Sequence, residues 1–204
     1  PIKNYTGSED VNSNPIFWSI FTSRGCPFDC TFCSSHNVFG RTVRMRSAKN
    51  VFEEIKGLVD RFGVRKIAFQ DDEILCSKTR LLELFDIILD SGLKINMSIR
   101  TRIDSIDKEI LLKAKSAGLT RMSFGIESWN DDTLKKINKK YDVKKIREKV
   151  KAIEEAKFPY IAFTNICGFP WETGGHLRNN LQEIYKIRKT VPYFTSAVTP
   201  IPYP

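Results

Sequence analysis

The stretch Lys66-Ile67-Ala68-Phe69-Gln70-Asp71-Asp72-Glu73 carries a short strand straight into a cluster of three acids. A helical periodicity follows through Leu81–Asp90 and stops at Gly92, a residue type suited to the left-handed turn that ends a helix. The unit is therefore a strand, a chemically charged loop and a helix.

Working outward, the same unit recurs. Upstream, a strand from Ile16 to Thr22 enters Cys26-Pro27-Phe28-Asp29-Cys30-Thr31-Phe32-Cys33. A helix over Ala48–Phe62 follows, with Val51, Ile55, Leu58, Val59 and Phe62 on one face and Gly63 at its end. Downstream come the strand Lys94–Ile99 and a helix through Ile110–Ala117 that ends at Gly118. Next are the strand Leu119–Ile126, a basic helix, and the strand Tyr160–Ile166 with a helix through Leu177–Ile187. A last strand covers Phe194–Val198. Six strands alternating with five helices predict a parallel sheet with right-handed crossovers. Residues 1–15 are polar and turn-prone and read as a linker or arm before a domain over residues 16–204.

Alternation alone does not separate a doubly wound sheet from a barrel; the position of the reactive residues does. The cysteines follow the first strand, Gln70–Glu73 the second, and Arg100-Thr101-Arg102 the third. Glu127-Ser128 follow the fourth, and Gly168-Phe169-Pro170-Trp171-Glu172 the fifth. All lie past the carboxyl ends of strands, where an α/β barrel builds its site. No G-x-G-x-x-G and no P-loop occurs. The expected fold is α/β, a partial (β/α)6 TIM-type barrel of six parallel strands with outer helices.

The cysteine spacing, C-x3-C-x2-C, presents soft thiolate donors suited to zinc or an iron–sulfur cluster. Three thiolates leave one iron of a 4Fe–4S cluster without a protein ligand, open to substrate. The alternative uses His36, which completes a Cys3His set able to close a structural zinc site.

With Phe32 just before its third cysteine, the loop resembles the signature of the radical S-adenosylmethionine (SAM) superfamily. That resemblance implies that Cys26, Cys30 and Cys33 hold a 4Fe–4S cluster whose open iron chelates SAM. Reductive cleavage then gives methionine and a 5′-deoxyadenosyl radical. It also implies roles at the strand ends. Asp71 and Asp72 stand where the SAM ammonium is held, the alternative being a pair of acids at a helix start. Arg102, with Arg100 beside it, is similar to the arginine facing the SAM carboxylate; the alternative is a salt bridge to nearby acids. Glu127, in Phe124-Gly125-Ile126-Glu127-Ser128, looks like the carboxylate reaching the ribose hydroxyls. Phe32 stands beside adenine. Gly168–Thr173 resembles the turn whose backbone approaches adenine and whose Glu caps the next helix, with Trp171 in place of a glycine.

The resemblance covers residues 16–204 and is nearest to the branch of cobalamin-dependent methylases and anaerobic Mg-protoporphyrin cyclase-like enzymes. The terminal Thr199-Pro200-Ile201-Pro202-Tyr203-Pro204 shares in it. The cobalt-ligand string Asp-x-His-x-x-Gly is absent, so cobalamin would come only with a domain outside this chain. A tRNA-modifying methylthiotransferase is an alternative, as is a zinc module binding nucleic acid. The implied partners are a small-molecule substrate and a ferredoxin- or flavodoxin-like reductant.

Bulk properties fit one domain of 204 residues, 41% hydrophobic, in a reducing, cytoplasmic setting with no disulfide framework. Cys76 and Cys167 are isolated and read as buried apolar residues or pocket lining; His36 and His176 read as surface or loop residues. No run of about 20 apolar residues is present to cross a bilayer. The net charge is +9. Much of it lies between Lys135 and Lys151, read as the solvated face of a helix whose Val143, Ile146, Val150 and Ile153 point inward. Beginning at Pro1 and ending in a proline-rich string, the chain reads as a fragment of a longer protein.

Overall fold

The computed structural model describes residues 17–191 and 194–200. The expected arm at 1–15 and the terminal residues 201–204 lie outside them.

Strand β1 (Phe17–Ile20) opens the chain, and the two-residue strands β2 (Ser23–Arg24) and β3 (Arg44–Met45) pair antiparallel as a separate hairpin. β4 (Lys66–Phe69), β5 (Asn96–Thr101), β6 (Leu119–Glu127), β7 (Tyr160–Cys167) and β8 (Phe194–Pro200) follow. The six longer strands form one sheet in the order β1-β4-β5-β6-β7-β8, every neighbouring pair parallel. Spatial order thus follows chain order with no reversal. A doubly wound sheet reverses at a switch point, so this is the barrel progression. Among the described residues β1 and β8 are the edges, and the ring is incomplete.

The helices are α1 (Ser35–Phe39), α2 (Ala48–Phe62), α3 (Lys78–Asp90), α4 (Lys108–Ser116), α5 (Asp131–Lys136), α6 (Val143–Glu155) and α7 (Gly174–Thr190). Their ends follow side-chain chemistry. Ser47 caps α2 by accepting the Asn50 N–H, and Gly63, at φ 66°, closes it with its own N–H on the Val59 carbonyl. Val51, Ile55, Leu58 and Val59 are the buried stripe. In the core, Phe124 of β6 packs edge-on against Phe163 of β7 at 6.0 Å between centroids, and Trp129, just past β6, tilts against Phe163 at 6.2 Å.

Three expectations are adjusted. β5 starts two residues later than the apolar run, because its pairing with β4 begins at Lys66 opposite Asn96. The hairpin falls in a segment whose strands are too short to show a period. The basic stretch is two helices: after α5 the chain passes Asn138 and Lys140 at φ 63° and 62° and restarts where Asp142 caps α6. Val143, Ile146, Val150 and Ile153 are buried as expected. Lys139, in the break, is buried as well.

Candidate functional site

The cysteine loop is fixed from several sides. Gly25 has φ 94°, and a Cβ there would overlap the Thr42 carbonyl, so only glycine fits. Cys26 donates its N–H to the Gly40 carbonyl (3.3 Å), Thr31 to Ile137 (3.2 Å), and Asn138 Nδ2 to the Asp29 carbonyl (3.3 Å). Loop and α5–α6 break are thereby tied together. The three cysteines are half-buried free thiols on one cavity of about 260 Å3, with Phe32, Asp72, Arg102, Glu127 and Lys139 also in its wall. Burial pushes the Cys26 thiol up. His36, on α1, is not part of that wall.

Among the described residues, no three Cys, His, Asp or Glu side chains gather closely enough for a single metal ion. Zinc requires sulfurs within bonds of about 2.3 Å. A cluster is itself a body several ångströms across and takes thiolates arranged around it. Three thiols lining one cavity are the donor type that such a cluster takes.

At the end of β4 the three acids separate. Asp71, 3% exposed, takes the Thr22 N–H (3.0 Å) and hydroxyl (2.6 Å) and the Ser23 hydroxyl (2.5 Å). It clamps the exit of β1 with both oxygens, most of its accepting capacity being used there, and it too borders the cavity. Asp72 accepts one long bond, from the Gly25 N–H at 3.3 Å, and is the acid with capacity left for a ligand. Neither opens α3, whose cap is Ser77. The sequence reading gave Glu73 no role. It is buried, and accepts the Leu75 N–H (3.0 Å), the Arg102 N–H (2.7 Å) and the Thr101 hydroxyl. It locks the tip of β4 to that of β5, and burial raises its carboxyl above the usual range.

Arg102 makes a fork on Asp104, with Nε and Nη2 each 3.0 Å from a carboxylate oxygen, and Nη2 also reaches the Lys139 carbonyl. Its guanidinium lies 4.0 Å from the Phe28 ring centroid and Nη1 is 3.8 Å from Cys30 Sγ. Arg102 thus makes the salt bridge raised as its alternative and also borders the cavity. Arg100 also borders the cavity.

Glu127 sits at a bulge between β6 and β7, with φ 66°. A non-glycine residue at positive φ carries strain. Its Oε1 is 3.0 Å from Lys139 Nζ, the two side chains being 8% and 5% exposed. Burial raises the Glu127 carboxyl, and the lysine opposes that rise. Lys139 Nζ also donates to the Gly125 carbonyl (2.9 Å), as does the Tyr141 hydroxyl (2.8 Å), and lies 5.5 Å from the Phe32 ring centroid. Sequence reasoning missed Lys139 by counting it with an outer lysine face. The available signal was its place beside Asn138 and Tyr141, outside the apolar repeat of α6.

The Gly168–Thr173 turn does not border the cysteine cavity; β7 contributes Thr164 instead. Glu172 does not cap α7. It precedes the cap, so its carboxylate folds back onto the N–H groups of Gly168 (2.7 Å) and Phe169 (3.2 Å), while Thr173 accepts the His176 N–H. Trp171 stacks on Phe169 at 5.1 Å and donates to the Thr133 hydroxyl at 3.2 Å, turning toward α5.

The family model for the radical SAM superfamily matches residues 20–184. An uncharacterized methyltransferase of Pyrococcus horikoshii is 32% identical over 189 residues, 92% of this chain and 40% of that protein. The anaerobic magnesium-protoporphyrin IX monomethyl ester cyclase of Cereibacter sphaeroides is 32% identical over 169 residues, 81% of this chain and 27% of that one. The chain therefore spans well under half the length of these relatives. Among solved structures, the radical SAM methyltransferase TsrM from Kitasatospora setae, with cobalamin and a [4Fe-4S] cluster bound, superposes with a TM-score of 0.78 at 17% identity, covering 89% of this chain and 34% of its own. The matched region runs from β1 into α7 and includes every cavity residue named above, so the chain belongs to the radical SAM superfamily.

Proposed function

We propose that this chain is the catalytic core of an enzyme that cleaves SAM reductively and uses the resulting radical for methyl transfer or C–H functionalisation of a small-molecule substrate. When bound, a 4Fe–4S cluster supplies the electron that breaks the sulfur–C5′ bond of SAM, giving methionine and a 5′-deoxyadenosyl radical. Cys26, Cys30 and Cys33 would hold it. The observation that carries the proposal is that these thiols share one cavity with a buried Glu127–Lys139 ion pair.

The remaining residues divide the parts of SAM. Asp72 offers a carboxylate to the ammonium. The SAM carboxylate goes to Lys139: its ammonium has three donors, two of which are on Glu127 and Gly125. Arg102, held by Asp104, braces that lysine through its carbonyl and lies beside Cys30. The free oxygen of Glu127 faces the ribose hydroxyls. Phe32, 37% exposed, gives adenine a flat apolar surface. Asp71 acts at one remove, by positioning the cysteine loop.

Methylation is favoured because the Pyrococcus relative is named a methyltransferase and TsrM is one. Cobalamin enters only through sequence outside this chain. A methylthiotransferase is the second reading: a putative one from Methanocaldococcus jannaschii is 30% identical over 162 residues. No helix among the described residues is long and apolar enough to cross a membrane.

The test is anaerobic reconstitution with iron and sulfide, reduction by dithionite, and assay of 5′-deoxyadenosine from SAM. Cys30→Ala is expected to lose both iron and cleavage. Normal cleavage by that variant, or a colourless wild type holding one zinc, would refute the proposal.

A further inference from the structure

Residues 24–46 contain four arginines, Arg24, Arg41, Arg44 and Arg46, against a single acid, Asp29. Arg46 is committed, at 2.5 Å from Glu54 and 2.7 Å from Asn50 Oδ1. Arg24, Arg41 and Arg44 are exposed, and among the described residues none has a carboxylate at ion-pair distance. A groove of about 540 Å3 lies beside β1 and the β2–β3 hairpin, with Arg24, Arg44 and Arg46 in its wall and Phe21 and Met45 contributing apolar surface; Arg41 lies outside that wall, on the loop leading into β3. This face backs directly onto the cysteine loop: Gly25 packs on the Thr42 carbonyl, and Cys26 donates its N–H to Gly40.

We propose that this arginine collar is the docking face for a small acidic electron-carrier protein of the flavodoxin type. The inference rests on reading the three cysteines as ligands of a redox group, which needs one electron from outside per cleavage. The carrier gives up that electron and leaves oxidised by one equivalent. Arg24 lies 5.9 Å from the Phe21 ring centroid and Arg44 donates to the Phe39 carbonyl, so both are held in place with their charge unneutralised. Exposed arginines without a carboxylate partner, beside an apolar patch, match an acidic protein rim with an apolar centre, and such charges chiefly set the encounter rate and its salt dependence. RNA fits less well. Its single strands need rings free to stack, whereas Phe21 is engaged edge-on with Phe39 at 6.2 Å, and the carboxylate of Glu54 borders the same groove.

The experiment compares wild type with Arg24→Glu/Arg41→Glu/Arg44→Glu and with a charge-matched control, Lys135→Glu/Lys144→Glu/Lys151→Glu, at exposed positions of α5 and α6 outside the groove. Binding of a bacterial flavodoxin to the cluster-free chain is measured by calorimetry at low and high salt. SAM cleavage by the reconstituted chain is driven either by dithionite or by reduced flavodoxin. The collar variant is expected to bind flavodoxin about tenfold or more weakly and to lose flavodoxin-driven cleavage while keeping dithionite-driven cleavage. The control is expected to match wild type in every arm. Arg24→Gln/Arg41→Gln/Arg44→Gln, which removes charge without reversing it, should give an intermediate loss and covers a misfolded reversal variant. Equal flavodoxin binding by the collar and control variants would overturn the proposal. So would a tRNA whose binding needs the collar while flavodoxin does not. If wild type cleaves no SAM with either donor, the catalytic reading fails, and the binding arm still decides the docking face.

Discussion

Lys139 Nζ stands 3.0 Å from Glu127 Oε1, and each side chain is more than nine-tenths buried. The pair spans twelve positions of sequence and joins the bulge that ends β6 to the break between α5 and α6. A buried ion pair contributes little net stability because desolvating both charges is costly, yet removing one partner is expensive. Such a pair is better explained by what it presents than by what it stabilises. Here it presents a cation and a carboxylate to the cavity that the cysteines share.

Lys139→Met should therefore lower stability by about 3 kcal/mol and weaken SAM binding by tenfold or more in the reconstituted protein. Adding Glu127→Gln to Lys139→Met should recover most of the stability, since no charge is then left unpaired, but none of the binding. Chemical denaturation and equilibrium dialysis of SAM give the two readouts. Additive stability losses in the double variant would show that the pair is not coupled.

How much of this was readable without coordinates depends on the kind of signal. Strand and helix order came from hydrophobic period and from glycines such as Gly63 and Gly118, which are local properties of the chain. The barrel progression came from the placement of Cys26, Asp72 and Glu127 after strands. Lys139 was not readable, because a lysine among lysines looks solvated until the chain is seen to break at Asn138 and Lys140. Nor was the division of labour between Asp71 and Asp72, which depends on where Thr22 and Ser23 meet the tip of β4. Glu73 was hidden for the same reason: its partners Thr101 and Arg102 are on another strand.

Asp71 and Asp72 should separate cleanly by mutation. Asp71→Asn puts an amide among three donors and leaves at least one buried bond unmade, at a cost of about 1–3 kcal/mol. Iron content after reconstitution should fall with it, because the clamp positions the loop entering Cys26. Asp72→Asn should keep melting temperature and iron content near wild type and raise the SAM dissociation constant several-fold. The reverse pattern would exchange their assignments.

Above pH 4.5, part of the pH dependence of stability follows from Glu73 and Glu127, two of the three buried glutamates among the described residues. In the third, Glu183, burial is outweighed by the Lys186 and Arg147 partners, which shift it downward, so it acts below that range. Burial raises Glu73 and Glu127 above the ordinary value of 4.5. Between that value and their folded values, the native state retains protons that the unfolded chain has released. Unfolding free energy therefore falls as pH rises through this window, and the contribution is intact below 4.5. In the cluster-free protein, Glu127→Gln should remove part of that decline, so its curve of unfolding free energy against pH runs flatter upward from pH 4.5. Urea titrations read by circular dichroism at steps of half a pH unit provide the check. A wild-type curve that rises across the window, or a variant as steep as wild type, would contradict the assignment.

Gly125 gives the last prediction, since its lack of a side chain shapes the bulge. A Cβ there would overlap Glu127 Oε1 and lie 3.3 Å from Lys139 Nζ. The obstacle is the end of a side chain rather than backbone, so the fold can yield by moving the carboxylate, and the cost falls on the ion pair. Gly125→Ala should thus lose about 1–3 kcal/mol, the range for overpacking a tight site, and lose SAM affinity by tenfold or more. The cause can be isolated in a background lacking the carboxylate: Gly125→Ala made on Glu127→Ala should cost far less stability than Gly125→Ala alone. If the cost is the same in both backgrounds, the glycine is required by something other than the position of Glu127.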